Sequence, residues 1–240
     1  MRRGLAVPAV FTTISLTILL ALGFWQWNRR AEKLALIQTI EQRVGAEPVA
    51  APAPAAWPGL NAADHIYRPV KATGRFDHAR EAHVFFALAK EKNGHGGPGY
   101  LVVTPFHLAG GGTILVNRGF TPQRLKEAAS RLSGQVEGEA EITGLFRAPE
   151  PRNAFSGKDD PARNIFFVRD PAELAAAKGL GQVAPYLIDL RSPEPPGGLP
   201  VPGVTQVDIR NNHLQYAITW WSLAAILAAI FLIYARRDAR

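Results

Sequence analysis

No charged residue interrupts the chain from Leu5 to Trp27, and none from Ser222 to Tyr234. Each run sits inside a stretch of roughly the 20 apolar residues that a bilayer core demands. The pattern predicts a first transmembrane helix over 5–27 and a second over 214–234. Pro8 is tolerated in the first turn of a helix. The first run also resembles a secretory signal peptide, with Arg2 and Arg3 before it and Ala21-Leu22-Gly23 as a weak cleavage site. Against cleavage, Phe24-Trp25-Gln26-Trp27 follows at once and reads as an interface anchor.

Between the two runs the period changes. From Arg29 to Val44 the chain is polar, with Leu34, Ile37 and Ile40 at helical spacing. Gly45 to Gly59 is rich in Ala and Pro, so 28–65 reads as an amphipathic stalk and a linker. From 66 to 209 short alternating strands take over. They are expected at Tyr67–Phe76, Ala82–Leu88, Tyr100–Leu108, Thr113–Phe120, Val136–Phe146, Asn164–Val168, Tyr186–Leu190 and Val204–Ile209. Glu91–Gly99 reads as a Gly-rich turn. Ala109-Gly110-Gly111-Gly112 closes the clearest hairpin. Helices are expected at Pro122–Leu132 and Pro171–Lys178, with Gly179 and Gly181 ending the second. The predicted fold is a membrane protein: two transmembrane α-helices flanking a mostly antiparallel β-rich, barrel-like α+β domain outside the membrane.

The entry to the second run adds candidate chemistry. His213, Tyr216 and Trp220 stand at i, i+3 and i+7, which stacks them on one helix face. A histidine under two aromatic rings at a membrane surface suits a flat apolar cofactor. Interfacial His, Tyr and Trp also occur as ordinary belt residues. The local pattern leaves both readings open.

Charge and composition remove alternatives. The net charge is +7 and the pI is near 10.0, yet much of the excess flanks the apolar runs. Arg2, Arg3, Arg236, Arg237 and Arg240 lie on the terminal side, and Arg29, Arg30, Lys33 and Arg210 on the central side. This balance favours cytoplasmic termini, 1–4 and 235–240, only slightly. No base-reading basic helix or RNP-type motif is present, so no nucleic acid is expected. The absence of cysteine excludes disulfides, thiolate metal sites, covalent C-x-x-C-H haem and Cys nucleophiles. There is no Gly-x-Ser-x-Gly elbow, Walker A loop, His-Glu-x-x-His or dinucleotide fingerprint. His65, His78, His83, His95 and His107 read as scattered surface histidines. Asp159-Asp160 reads as a solvated turn. Arg118, ending an apolar strand, reads as half of a structural salt bridge. No catalytic residue and no resident metal site emerge, and an enzyme is not expected. No amphipathic transit peptide precedes the first run, which reads as bacterial.

Several motifs then fall in order: Leu22-Gly23-Phe24-Trp25-Gln26 with Arg29-Arg30 and Lys33-Leu34; Pro98-Gly99-Tyr100; Val103-Thr104-Pro105-Phe106; Val116-Asn117-Arg118-Gly119-Phe120; and Asn211, His213-Leu214-Gln215-Tyr216 with Thr219-Trp220. Together they resemble the SURF1/Shy1 family of cytochrome c oxidase assembly factors, over nearly the whole chain. One departure follows Asn164, where the family carries a tryptophan and this chain has Ile165-Phe166-Phe167.

The resemblance implies residence in the bacterial inner membrane with the central domain in the periplasm. It implies binding of haem a and help in placing it into subunit I of the oxidase, with haem A synthase as a further partner. It implies His213 as the iron ligand. Tyr216 and Trp220 could stack on the macrocycle, and Trp25 and Gln26 could form an opposing wall. A scaffold that binds no haem and stabilises a subunit I intermediate is the competing expectation.

Overall fold

A computed structural model describes residues 3–204 and 211–238. Most of the expected last strand, 204–209, lies outside the described residues, as do Arg2, Arg210 and Arg240. The helices are α1 (Arg3–Val44), α2 (Ala62–His65), α3 (Pro171–Ala177) and α4 (His213–Asp238). The strands are β1 (Val49–Ala50), β2 (Pro69–Phe76), β3 (Ala82–Lys92), β4 (His95–Leu108), β5 (Thr113–Pro122), β6 (Ala140–Arg147) and β7 (Val183–Ser192). The chain divides into two compact units, Met1–Glu41 with Asp208–Arg240, and Gln42–Val207.

In the first unit, α1 and α4 are long and apolar enough to cross a membrane. The expected span and polar stalk form one continuous helix, because no Gly or Pro breaks the pattern between Trp27 and Val44.

The second unit is built on a mixed sheet in the order β1-β2-β6-β7-β5-β4-β3. The pairs β1–β2 and β5–β7 are parallel, and the others are antiparallel. The first part of β2 pairs with β6, while Gly74–Phe76 pair with Leu108–Phe106 of β4. Hydrogen bonding therefore returns on itself through β2, β6, β7, β5 and β4. Gly74 is needed at that junction, since a Cβ there would lie 2.2 Å from the His107 carbonyl oxygen.

Alternation puts one apolar set on each face of the sheet. Ile114 and Val116 pack with Phe106, Ile142, Phe146 and Ile188. Leu115 packs on the other face with Leu101, Val103, Leu187 and Leu174 of α3. Phe120 joins that second set although its parity with Val116 predicts the first. Gly119, at φ 129°, reverses the alternation. The Asn117 side chain fixes the turn by accepting from the Gly119 N–H at 3.1 Å.

Several expectations are corrected. Glu91–Gly99 is not one broad turn. Strands β3 and β4 run on to Lys92 and His95, and only Asn93-Gly94 reverses the chain, both at positive φ. That is the two-residue hairpin for which Asn-Gly is suited. Pro122–Leu132 is not a helix with an apolar Leu face. It forms two 3-10 turns, Gln123–Leu125 and Ala128–Gly134. Leu132 is 67% exposed whereas Arg131 is 3% exposed, because a buried carboxylate draws the arginine inward. Asn164–Val168 is not a strand but makes isolated bridges, since Asn164 turns left-handed at φ 54°. The Ala/Pro segment is more than a linker: β1 pairs with β2, and Trp57 is buried with its indole N–H donating to the Pro52 carbonyl at 2.8 Å. The Tyr186 hydroxyl donates to the same carbonyl at 2.9 Å. Helix α3 starts where expected, capped by the Asp170 carboxylate, which accepts from the Ala172 and Glu173 N–H groups.

Candidate functional site

Helices α1 and α4 approach through small residues. Gly23, Ala217 and Ala224 are buried between them, as small side chains allow close backbone contact. The Trp221 ring lies against Gly23, where a Cβ would come 2.2 Å from the indole nitrogen. Trp221 also meets Phe24 at 5.7 Å and Trp27 at 5.9 Å between ring centroids. One turn on from Gly23, Gln26 points to His213, and Nδ1 of the imidazole lies 2.6 Å from the Gln26 amide oxygen.

The sequence-predicted residues separate here. His213 and Gln26 come together. Trp25 is 56% exposed and Tyr216 54% exposed, and Trp220 is half-buried. Among the described residues none of these three makes a ring contact. The tryptophan that joins the helices is Trp221, one position beyond the expected Trp220. An i+8 offset from His213 reaches the same face, and that signal was available in the sequence.

The bond to Gln26 decides the chemistry of His213. An amide oxygen only accepts, so Nδ1 carries the proton. With Nδ1 donating, the lone pair of a neutral imidazole falls on Nε2, the donor that a transition-metal ion takes from imidazole. Such a second partner fixes both tautomer and ring orientation. The donor set therefore fits a haem iron with one imidazole ligand. Among the described residues no group of three or more His, Asp or Glu could hold a free metal ion.

The sheet unit holds a second polar constellation that sequence reasoning missed. Glu81, His83 and Arg131 are buried together. The Arg131 guanidinium donates to both Glu81 carboxylate oxygens, and His83 Nε2 lies 2.9 Å from one of them. Asn164 donates to the Glu81 carbonyl at 3.0 Å and sits 3.2 Å from His83 Nδ1. His83 is thus no surface histidine. Burial alone would raise the Glu81 pKa. The hydrogen bonds from His83 and Arg131, with the Arg131 charge, hold it below the usual carboxylate range instead.

Arg118 is 1% exposed and meets no carboxylate at ion-pair distance among the described residues, so the expected salt bridge is absent. It donates to the Gly134 carbonyl and to His78 Nδ1 at 3.3 Å, and stacks 5.0 Å over Phe76. Burial moves its pKa down to about 10. His78 Nε2 is 2.9 Å from the Val136 carbonyl, and burial pushes the His78 pKa below its ordinary value. Folding thus favours neutral His78. Its contribution is complete above the unfolded value of about 6.5 and is lost as pH falls from there through the lower folded value. Denaturant midpoints between pH 7 and pH 5 should therefore fall, with a shallower slope in His78→Gln. Equal slopes would refute this. The Asp159-Asp160 turn is also structural: Asp159 accepts from the Phe167 N–H and pairs with Arg152, and Asp160 caps the next turn.

Two apolar helices, each long enough to cross a membrane and joined at an imidazole–amide bond, with a mixed-sheet unit between them in sequence, define the class of protein. The SURF1 family pattern matches residues 13–225. Surfeit locus protein 1 of Homo sapiens is 40% identical over 216 residues, 85% of this chain and 69% of that protein. Its Xenopus tropicalis counterpart is 38% identical over 217 residues, 85% of this chain and 68% of that one. A SURF1-like protein of Drosophila melanogaster is 35% identical over 226 residues, 89% and 72% of the two chains. The chain belongs to the SURF1 family.

Proposed function

We propose that the chain is an assembly factor for haem-copper cytochrome c oxidase, which binds haem a through His213 and promotes its insertion into subunit I. The observation that carries this reading is the 2.6 Å bond between His213 Nδ1 and Gln26. It leaves Nε2 as a single oriented donor. Haem a, the cargo, brings an iron with an open axial position and a farnesylated, largely apolar macrocycle. A site among lipid-facing helices suits that tail, and the apolar side chains of α1 and α4 are largely exposed. Trp25, Tyr216 and Trp220 lie near enough in sequence to flank the ring. In this reading both helices span the bacterial inner membrane, residues 66–209 form a periplasmic barrel-like domain, and haem A synthase supplies the cargo. The chain acts by binding and hand-over, not by catalysis.

The test is the absorption spectrum of detergent-purified protein from cells making haem A, beside His213→Ala. A haem a spectrum that the variant lacks supports the reading. A spectrum that survives moves the ligand elsewhere. No haem in either protein, even after haem a is added back, leaves the scaffold. Gln26→Ala should weaken haem affinity by about 10–100-fold, the usual cost of losing a ligand's outer partner. The scaffold reading draws on the exposed positions of Trp25 and Tyr216, which do not converge on His213. It predicts nearly intact oxidase assembly with His213→Ala.

A further inference from the structure

A cavity of about 210 Å³ opens beside Arg118. Its wall is formed by Phe76, Val136, Ile142, Leu190 and Pro193 together with Arg118. The lining is apolar apart from Arg118 and Glu194. Arg118 is 1% exposed, and its Nε–H has no hydrogen-bond acceptor among the described residues. Around it the buried charges do not balance. Among the described residues Arg118 forms no ion pair, and Glu81, whose charge acts on it through space, is already bonded to Arg131 and His83. A neutral His78 accepts one Arg118 N–H and cannot supply the missing negative charge. A buried cation without a directly paired carboxylate is costly, because it has lost water and gained only a distant counter-charge.

We propose that this cavity binds a small organic carboxylate, with its anionic head on the Arg118 guanidinium and its apolar body against Phe76, Ile142 and Leu190. Arginine presents its N–H groups in a planar fork that matches a carboxylate. The apolar wall disfavours inorganic phosphate or sulfate, which surrender their hydration with difficulty. The volume is below the ~300 Å³ at which drug-sized sites begin, so the occupant is of benzoate or pentanoate size. Glu194, exposed on the rim, repels a second negative charge and selects monoanions. This site is independent of the haem reading, since it uses no residue of α1 or α4.

The experiment titrates benzoate calorimetrically into the full chain in lipid nanodiscs, with empty discs as blank and benzyl alcohol as neutral counterpart. Saturable binding is expected with a Kd of about 1 mM or tighter, as ligand efficiency implies for so small a molecule. Benzyl alcohol should bind at least tenfold more weakly. Ala140 also lines the cavity; Ala140→Phe, which fills it and spares the guanidinium, should weaken benzoate at least tenfold, and Glu194→Gln should tighten it severalfold. Arg118→Gln should abolish binding. If that variant does not fold, Ala140→Phe and the alcohol decide the matter. Absence of saturable binding, equal binding of the alcohol, or full affinity in Ala140→Phe would overturn the proposal.

Discussion

Glu81→Ala should destabilise the sheet unit by roughly 3–5 kcal/mol, the range for removing one partner of a buried ion pair. The carboxylate is the acceptor for both Arg131 and His83, and all three side chains are buried. Its loss leaves a guanidinium without water or counter-charge, beside a second buried arginine. The damage comes from the stranded partner more than from the lost attraction. Arg131→Met on the Glu81→Ala background should therefore recover part of the loss. Denaturant midpoints of the full chain, followed by exchange protection of the β3 and β4 amides, measure both. A single variant within 1 kcal/mol of the parent would contradict the argument. Acid has a related effect. The folded pKa of Glu81 is depressed, so its stabilisation is complete above the unfolded value of about 4.3 and is lost as pH falls through the folded one.

The second large effect belongs to Gly119→Ala, expected to cost about 2–5 kcal/mol from backbone strain and overpacking together. At φ 129° an L side chain is strained. A Cβ would also lie 2.0 Å from the Val201 carbonyl oxygen, a backbone atom that cannot swing aside. That carbonyl accepts from the Phe120 N–H at 2.9 Å, and Val201 donates back to Phe120 at 2.8 Å. Moving Val201 would break both bonds. Gly138→Ala has open space around its Cβ and shares only the positive φ, so it should cost much less. A similar loss at both positions would assign the whole effect to φ and remove the steric part.

Period and punctuation made much of this fold legible. Charge-free runs predicted α1 and α4, alternation gave β2, and the glycine run placed the β4–β5 hairpin. The misses share a cause. Leu125, Ala128 and Leu132 look like a helix face until a distant carboxylate claims Arg131. Asn164 looks like the start of a strand until its left-handed backbone lets it reach His83. Tertiary contacts overrode local pattern at both places. At the candidate site, Gln26 and His213 were both legible, but not their bond, which joins residues 187 positions apart. The pair Glu81 and His83 was not legible either, because Glu81 precedes β3 and its partner Arg131 lies 50 positions away. Nor was the absence of an ion pair at Arg118 among the described residues, since no sequence pattern reports what a side chain fails to meet.

The returning sheet has a consequence for pairing between chains. Open strand edges recruit unpaired chains by backbone hydrogen bonding. Here five strands satisfy each other in a circuit, which leaves β1 and β3 on the outside. Strand β1 has only two residues. Strand β3 is covered at its start by Phe166, which exchanges backbone hydrogen bonds with His83 and Phe85, and it ends in Lys90-Glu91-Lys92. The described sheet thus presents little free backbone to another chain.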